Sequence, residues 1–194
     1  FSRYPWKRCL AMLETGQVDG IFNASYNAAR TRIGEYPRRD GQVDPTRRLT
    51  TISYHLYALP DTDLGWSGEA FKDSDLEIGA PLGYSIVNDL ENLGVSVMKV
   101  RSSRQSLQLL TAGRVHAVAL QSVTADFLLS RNADQLPGIV RIEPPLKTKP
   151  YYLMLSREFK AANPELAEQI WDAIGELREE KLEALAQPYL SEPG

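Results

Sequence analysis

One helix-to-strand pattern occurs twice in the chain, and the two copies begin 97 residues apart. In Met12–Ser25 and again in Leu109–Ser122, a helical pattern ends at a glycine, a valine follows two residues later, and a short apolar run leads into a serine. Gly16 and Gly113 suit the left-handed turn that ends many helices, and the run after each is too short for another helix. The repeat predicts two α/β lobes, although the same junction also occurs in single-domain α/β proteins.

The repeat also predicts where a ligand would bind. In open α/β sheets, ligands bind just beyond the carboxyl ends of the strands. Those ends fall near Asn23–Ser25 in the first copy and Leu120–Ser122 in the second. We therefore expect a cleft between the two lobes, lined by these two segments.

Composition excludes several functional classes. The 194 residues carry 22 basic and 25 acidic side chains, a net charge of −3 that favours no nucleic-acid partner. No apolar run approaches the ~20 residues that a membrane-spanning helix needs. One cysteine and two histidines cannot build an internal disulfide, a thiolate cluster or a multi-histidine metal site. We expect no metal and no cofactor. Because no nucleophile–base pair or pair of acids stands at the strand ends, we also expect no enzymatic activity.

Two segments are candidates for anion binding. Arg30 and Arg32 follow Ser25 by five and seven residues, close enough for one guanidinium group to turn back over the cleft and bind a carboxylate. A solvated or salt-bridged surface arginine is the alternative. Further along, a strand leads through a glycine-rich turn to a helix with Ser85 as its expected N-cap, and a helix start offers N–H groups to an anion. Its glycine spacing matches neither nucleotide-binding fingerprint.

Two further segments make specific structural predictions. The segment 136–150 contains a short strand followed by a proline-rich connection with restricted backbone freedom, which predicts a crossover out of the second lobe. The segment 163–178 predicts an amphipathic helix that begins at the Asn163 cap and Pro164.

A series of short motifs, in this order, resembles the family 3 extracellular solute-binding proteins. The motifs are Pro5-Trp-Lys-Arg8, Gly16-Gln-Val-Asp-Gly20, Arg30, Gly34-Glu-Tyr-Pro37, Ile78-Gly-Ala-Pro-Leu-Gly-Tyr-Ser85 and Gly113-Arg-Val-His-Ala117. The resemblance implies an α/β, two-lobed periplasmic binding protein fold of type II. Lobe 1 would be discontinuous, from 1–75 and 145–194, with lobe 2 at 76–144. The family's first strand–helix unit would be missing.

The resemblance also implies a set of ligand-binding residues. Ser25 and Arg30 would face the cleft, and Arg30 matches the arginine that binds the α-carboxylate of amino-acid ligands. Tyr84 and Ser85 would match the helix start that donates to the same carboxylate. Gln121 stands where amino-acid binders usually have an aspartate for the ligand's ammonium group. Since the neutral amide removes a charge-assisted bond, the match to a free α-amino acid is weakened.

The implied function is capture of a small polar, carboxylate-bearing solute, such as an amino acid or a related compound, in the interlobe cleft by hinge closure. The protein would be a periplasmic monomer that serves the membrane permease of an ABC transporter. Phe1–Trp6 does not resemble a signal peptide, so a mature or cut chain is expected. Two alternatives stay open on the same fold: the sensory module of a receptor, and a periplasmic dehydratase-like or cell-wall lytic enzyme.

Overall fold

The computed structural model describes residues 1–73 and 75–190. The chain folds into two compact units. Unit 1 consists of Phe1–Thr51 and Lys149–Gly194, and unit 2 of Ile52–Thr148. The lobe boundaries predicted from the sequence, at 75/76 and 144/145, stay predictions. No helix among the described residues is both long and apolar enough to cross a membrane.

The regular elements alternate between helices and strands along most of the chain. In chain order they are α1 (Trp6–Glu14), β1 (Gly20–Ser25), a 3-10 helix (Ala28–Arg32), β2 (Arg38–Arg39), β3 (Gln42–Val43), a second 3-10 helix (Pro45–Arg47), β4 (Thr50–Ala58), β5 (Glu77–Pro81), α2 (Ser85–Asn92), β6 (Ser96–Val100), α3 (Ser103–Thr111), β7 (Ala117–Gln121), α4 (Ser122–Arg131), β8 (Val140–Leu155), α5 (Arg157–Ala162) and α6 (Pro164–Leu190).

In unit 1, β1 pairs in antiparallel fashion with the end of β8, and α1 packs against β1. Their apolar side chains form one core, in which Leu13, Tyr152 and Met154 are fully or almost fully buried. A second apolar cluster lies on the other face of β8, where α6 packs against the strand. This cluster includes Trp171. Helix α6 begins at Pro164, as predicted, and runs to Leu190.

In unit 2, β4 pairs with β7 in antiparallel fashion, whereas β5 pairs in parallel with both β7 and β6. The core lies between this sheet and helices α3 and α4, and Leu107, Val118 and Leu120 are completely buried in it. Parallel strands require long crossover connections, which α2 and α3 supply. The carboxyl ends of β5 and β7 therefore lie at one edge of the sheet.

The proline-rich connection predicted within 136–150 is itself part of a strand. The structure has one continuous strand, β8, that includes Pro144, Pro145 and Pro150. Proline fixes φ near −65°, which extended backbone accepts, so the cost in a strand is only the missing N–H donor. The boundary between the two units falls inside β8, and the other boundary falls inside its neighbour β4.

Candidate functional site

In unit 1, Arg30 contacts the end of strand β1. Its Nη1 donates to the Ser25 carbonyl oxygen at 3.0 Å and to the Ser25 hydroxyl oxygen at 3.3 Å. The 3-10 helix that carries Arg30 turns the chain back, and the Asn27 side chain caps it by accepting from the Ala29 N–H at 2.8 Å. Arg30 is only 8% exposed.

Aromatic side chains surround this arginine. The guanidinium carbon lies 5.4 Å from the centre of the Trp6 ring, within the range of a cation–π contact. Tyr36 donates its hydroxyl group to the Ser25 carbonyl oxygen at 2.8 Å, so this carbonyl accepts from both Tyr36 and Arg30. Burial raises the pKa of Tyr36 to about 12, and the nearby positive charge of Arg30 only partly opposes that rise. The phenol is therefore protonated at neutral pH.

In unit 2, Tyr84, Ser85 and Gln121 lie at the same edge of the sheet, where β5 and β7 end. Strands β5 and β7 are parallel neighbours, and helices α2 and α4 begin directly after Tyr84 and Gln121. Gln121 donates from Nε2 to the Tyr54 hydroxyl oxygen at 3.3 Å. The structure corrects one detail, because α2 begins at Ser85 itself and Tyr84 occupies the N-cap position with extended backbone angles.

A second polar cluster in unit 2 connects strand β4 to α4 and β8. The Tyr57 hydroxyl group donates to Asp126 at 2.7 Å, and Arg141 bridges Asp126 and Glu143. Glu143 in turn lies 3.3 Å from the imidazole of His55. Burial and the Asp126 carboxylate both raise the pKa of Tyr57. Within the described ranges, no group of three or more ligating side chains is arranged to hold a metal ion.

Comparison with known proteins gives a clear result only at the level of structure. No family model matches the chain, and no curated protein matches its sequence. Many solved structures match it over nearly its full length. A mutant of ArgBP from T. maritima superposes with a TM-score of 0.75 at 18% identity, covering 98% of this chain and 77% of that one. The fold is that of the two-lobed periplasmic binding proteins. This confirms the fold predicted from the sequence.

Two other structures show how varied the proteins with this fold are. A histidine kinase sensor domain with similarity to periplasmic binding proteins matches with a TM-score of 0.74 and 18% identity, over 97% of this chain and 78% of its own. An ancestral amino acid-binding protein, a precursor of cyclohexadienyl dehydratase, matches with a TM-score of 0.70 and 14% identity, over 97% and 75%. Most of the neighbours are binding proteins rather than enzymes.

Sequence reasoning brought Ser25 together with Arg30 but missed the side chains that surround them. Trp6 and Tyr36 contact the pair in the structure, and Tyr54 contacts Gln121. Their sequence separations from the residues they contact range from 11 to 67, too long for helical or strand periodicity to reveal. A tyrosine before a proline was visible at position 36, but nothing local connected it to Ser25.

Proposed function

We propose that this protein is a solute-binding protein that captures a small polar solute bearing a carboxylate group. The observation that carries the proposal is the buried Arg30, fixed against Ser25 at the carboxyl end of β1. A planar guanidinium group in a fixed orientation can donate two parallel hydrogen bonds to a carboxylate.

Unit 2 would contribute neutral polar groups to the same ligand. Tyr84, Ser85 and Gln121 stand at the start of α2 and α4, where backbone N–H groups and helix dipoles favour negative charge. Gln121 is an uncharged amide that already bonds to Tyr54, and it offers no negative charge to an ammonium group. We therefore propose that the preferred solute combines a carboxylate with a neutral second polar group, such as a hydroxyl, and that a zwitterionic amino acid binds more weakly.

The biological setting belongs to the same proposal. The resemblance to family 3 proteins supports a periplasmic monomer that closes on its solute by hinge motion and delivers it to the permease of an ABC transporter. The superposition on ArgBP supports ligand binding as the main activity. The kinase sensor domain supports a sensory module as the second candidate. The dehydratase precursor is the reason for keeping an enzyme on this fold as a third.

The solute class can be tested with sets of matched ligands. Each set contains an α-hydroxy acid, the α-amino acid with the same side chain, and the primary amide of the hydroxy acid; L-lactate, L-alanine and L-lactamide form the smallest set. We expect the hydroxy acid to raise the melting temperature most and the amide least, because only the amide lacks the carboxylate. Equal effects of acid and amide would contradict a carboxylate site, and a preference for the amino acid would contradict the role given to Gln121.

The role of Arg30 can be tested with a matched pair of variants. Arg30→Gln is expected to weaken carboxylate binding at least tenfold, or about 1.4 kcal/mol, because it removes the charged fork. Arg32→Gln removes an exposed arginine from the same 3-10 helix and is expected to change the dissociation constant less than about twofold. Titration calorimetry with L-lactate measures both. An unchanged affinity in Arg30→Gln, with the fold intact by circular dichroism, would exclude this arginine as the anion site.

A further inference from the structure

We infer that Tyr36 is a positioning residue for the anion site. Tyr36 donates a hydrogen bond to the Ser25 carbonyl oxygen and holds it in the position at which Arg30 also donates to it. In this way Tyr36 orients the guanidinium group toward a carboxylate ligand. This inference rests on the proposed function, since it assigns a role within the same site.

The geometry makes the Ser25 carbonyl the shared anchor of two donors. Tyr36 donates to it at 2.8 Å and Arg30 at 3.0 Å. A carbonyl oxygen has two lone pairs, so the two donors can occupy different directions around one atom. The peptide group of Ser25 is thereby restrained by a residue outside the short turn that carries Arg30. Any rotation of that peptide displaces the acceptor on which Nη1 depends.

The Tyr36 ring is itself held rigidly. Its side chain is 2% exposed, and it contacts Tyr26 and Tyr152 edge to face, with ring centres 5.4 and 5.9 Å away. Tyr152 belongs to β8 and lies opposite Ala24 in the strand pairing, so the Tyr36 ring packs against a residue of the sheet. Because burial raises the pKa of Tyr36 to about 12, the hydroxyl group keeps its proton and stays a donor across the physiological range. The hydrogen bond from Tyr36 to Ser25 is therefore independent of pH in that range.

The chain between the Ser25 acceptor and the Arg30 donor has little freedom of its own. Only four residues lie between Ser25 and Arg30, and the Asn27 cap fixes the start of the 3-10 helix that begins there. The local turn thus sets how far Arg30 can reach. Tyr36, eleven residues from Ser25, supplies the restraint that the local sequence lacks.

The test compares two phenol deletions in the same aromatic cluster. Tyr36→Phe removes the donor to Ser25 and keeps the ring. Tyr152→Phe removes a hydroxyl group from the neighbouring ring and leaves both donors to Ser25 in place. With L-lactate as the probe in titration calorimetry, we expect Tyr36→Phe to weaken binding about three- to tenfold and Tyr152→Phe less than twofold. Combined with Arg30→Gln, Tyr36→Phe should add less than twofold, because its effect passes through the arginine.

The outcomes separate this inference from the proposed function. If Arg30→Gln weakens binding but Tyr36→Phe does not, or if the two effects multiply in the double variant, the positioning role is overturned and the anion site stands. If Arg30→Gln leaves binding unchanged, or L-lactate does not bind at all, the anion site fails and the inference fails with it.

A measurement without ligand tests the geometry directly. In protein labelled with ¹⁵N-arginine, the guanidinium protons of Arg30 should exchange with water at least threefold faster in Tyr36→Phe than in the wild type or in Tyr152→Phe. A merely structural role in the aromatic cluster would change the melting temperature of both variants similarly and leave this exchange rate alone. Equal exchange in all three proteins would overturn the inference.

Discussion

Replacing Trp171 by phenylalanine should destabilise the protein far more than the same replacement at Trp66. Each indole donates its Nε1–H to a backbone carbonyl oxygen at 2.9 Å, to Leu153 from Trp171 and to Pro144 from Trp66. The two bonds have the same chemistry and length. They differ in burial, because Trp171 is 1% exposed whereas Trp66 lies in a surface loop and is partly accessible.

The expected losses of stability depend on whether each carbonyl oxygen can find another hydrogen-bond donor after the substitution. Leu153 lies between the partners of Ile21 and Ala24, where the register of the β1–β8 pairing shifts, and Trp171 donates to its carbonyl oxygen at this irregularity. Leaving a buried acceptor without a partner costs about 1–3 kcal/mol, and the smaller ring loses about 1 kcal/mol of apolar burial. We expect a loss of about 2–4 kcal/mol for Trp171→Phe. At Trp66 water can replace the indole, so the loss should be below about 1.5 kcal/mol.

Urea unfolding of the full chain measures both values. Circular dichroism at amide wavelengths is the appropriate signal, because each substitution removes a fluorophore. Slopes that match the wild type would show that the change lies in stability rather than in the denatured state. Equal losses in the two variants would refute the reasoning, since burial would then not decide the value of the bond. A loss below about 1 kcal/mol in Trp171→Phe would do the same.

Two further predictions concern unit 1. Gly34→Ala is expected to cost about 1–3 kcal/mol in urea unfolding, because a Cβ atom would lie 2.7 Å from the buried Leu13 side chain; wild-type stability would contradict this packing. The pKa of Glu168 is the basis of the other prediction: burial raises it, but hydrogen bonds from Lys160 and Arg47 outweigh burial and lower the pKa below its ordinary 4.5. The stabilisation is complete above that ordinary value and is lost as the pH falls through the lower folded value. The melting temperature of Glu168→Gln should therefore fall less steeply in acid, and parallel acid limbs would argue against the lowered pKa.

Features that depend on a few neighbouring residues were predictable from the sequence. Gly16 and Gly113 end helices with φ of +66° and +64°, as a residue without a Cβ atom allows at low cost. The start of α6 at Pro164 follows from the fixed φ of proline and its missing N–H. The approach of Arg30 to Ser25 was equally local, since five residues set its limits.

The anchoring of the site required the tertiary structure. Nothing in the local sequence connects Tyr36 to the Ser25 carbonyl group or places Trp6 against the Arg30 guanidinium group. The same limit applies to the length of β8. Its prolines locally predict only restricted backbone freedom, whereas pairing with β1 and β4 is a non-local gain that outweighs three missing donors.

The sequence by itself thus determined the two α/β repeats, the places where their strands end and the residue types that stand there, because backbone preference and apolar periodicity act over short distances. Only the tertiary structure decided that Arg30 is buried and that Tyr36 and Arg30 share one carbonyl oxygen. Those properties arise when strands far apart in the chain pair and exclude water. The energy of that pairing cannot be predicted from any single segment, because it depends on both strands.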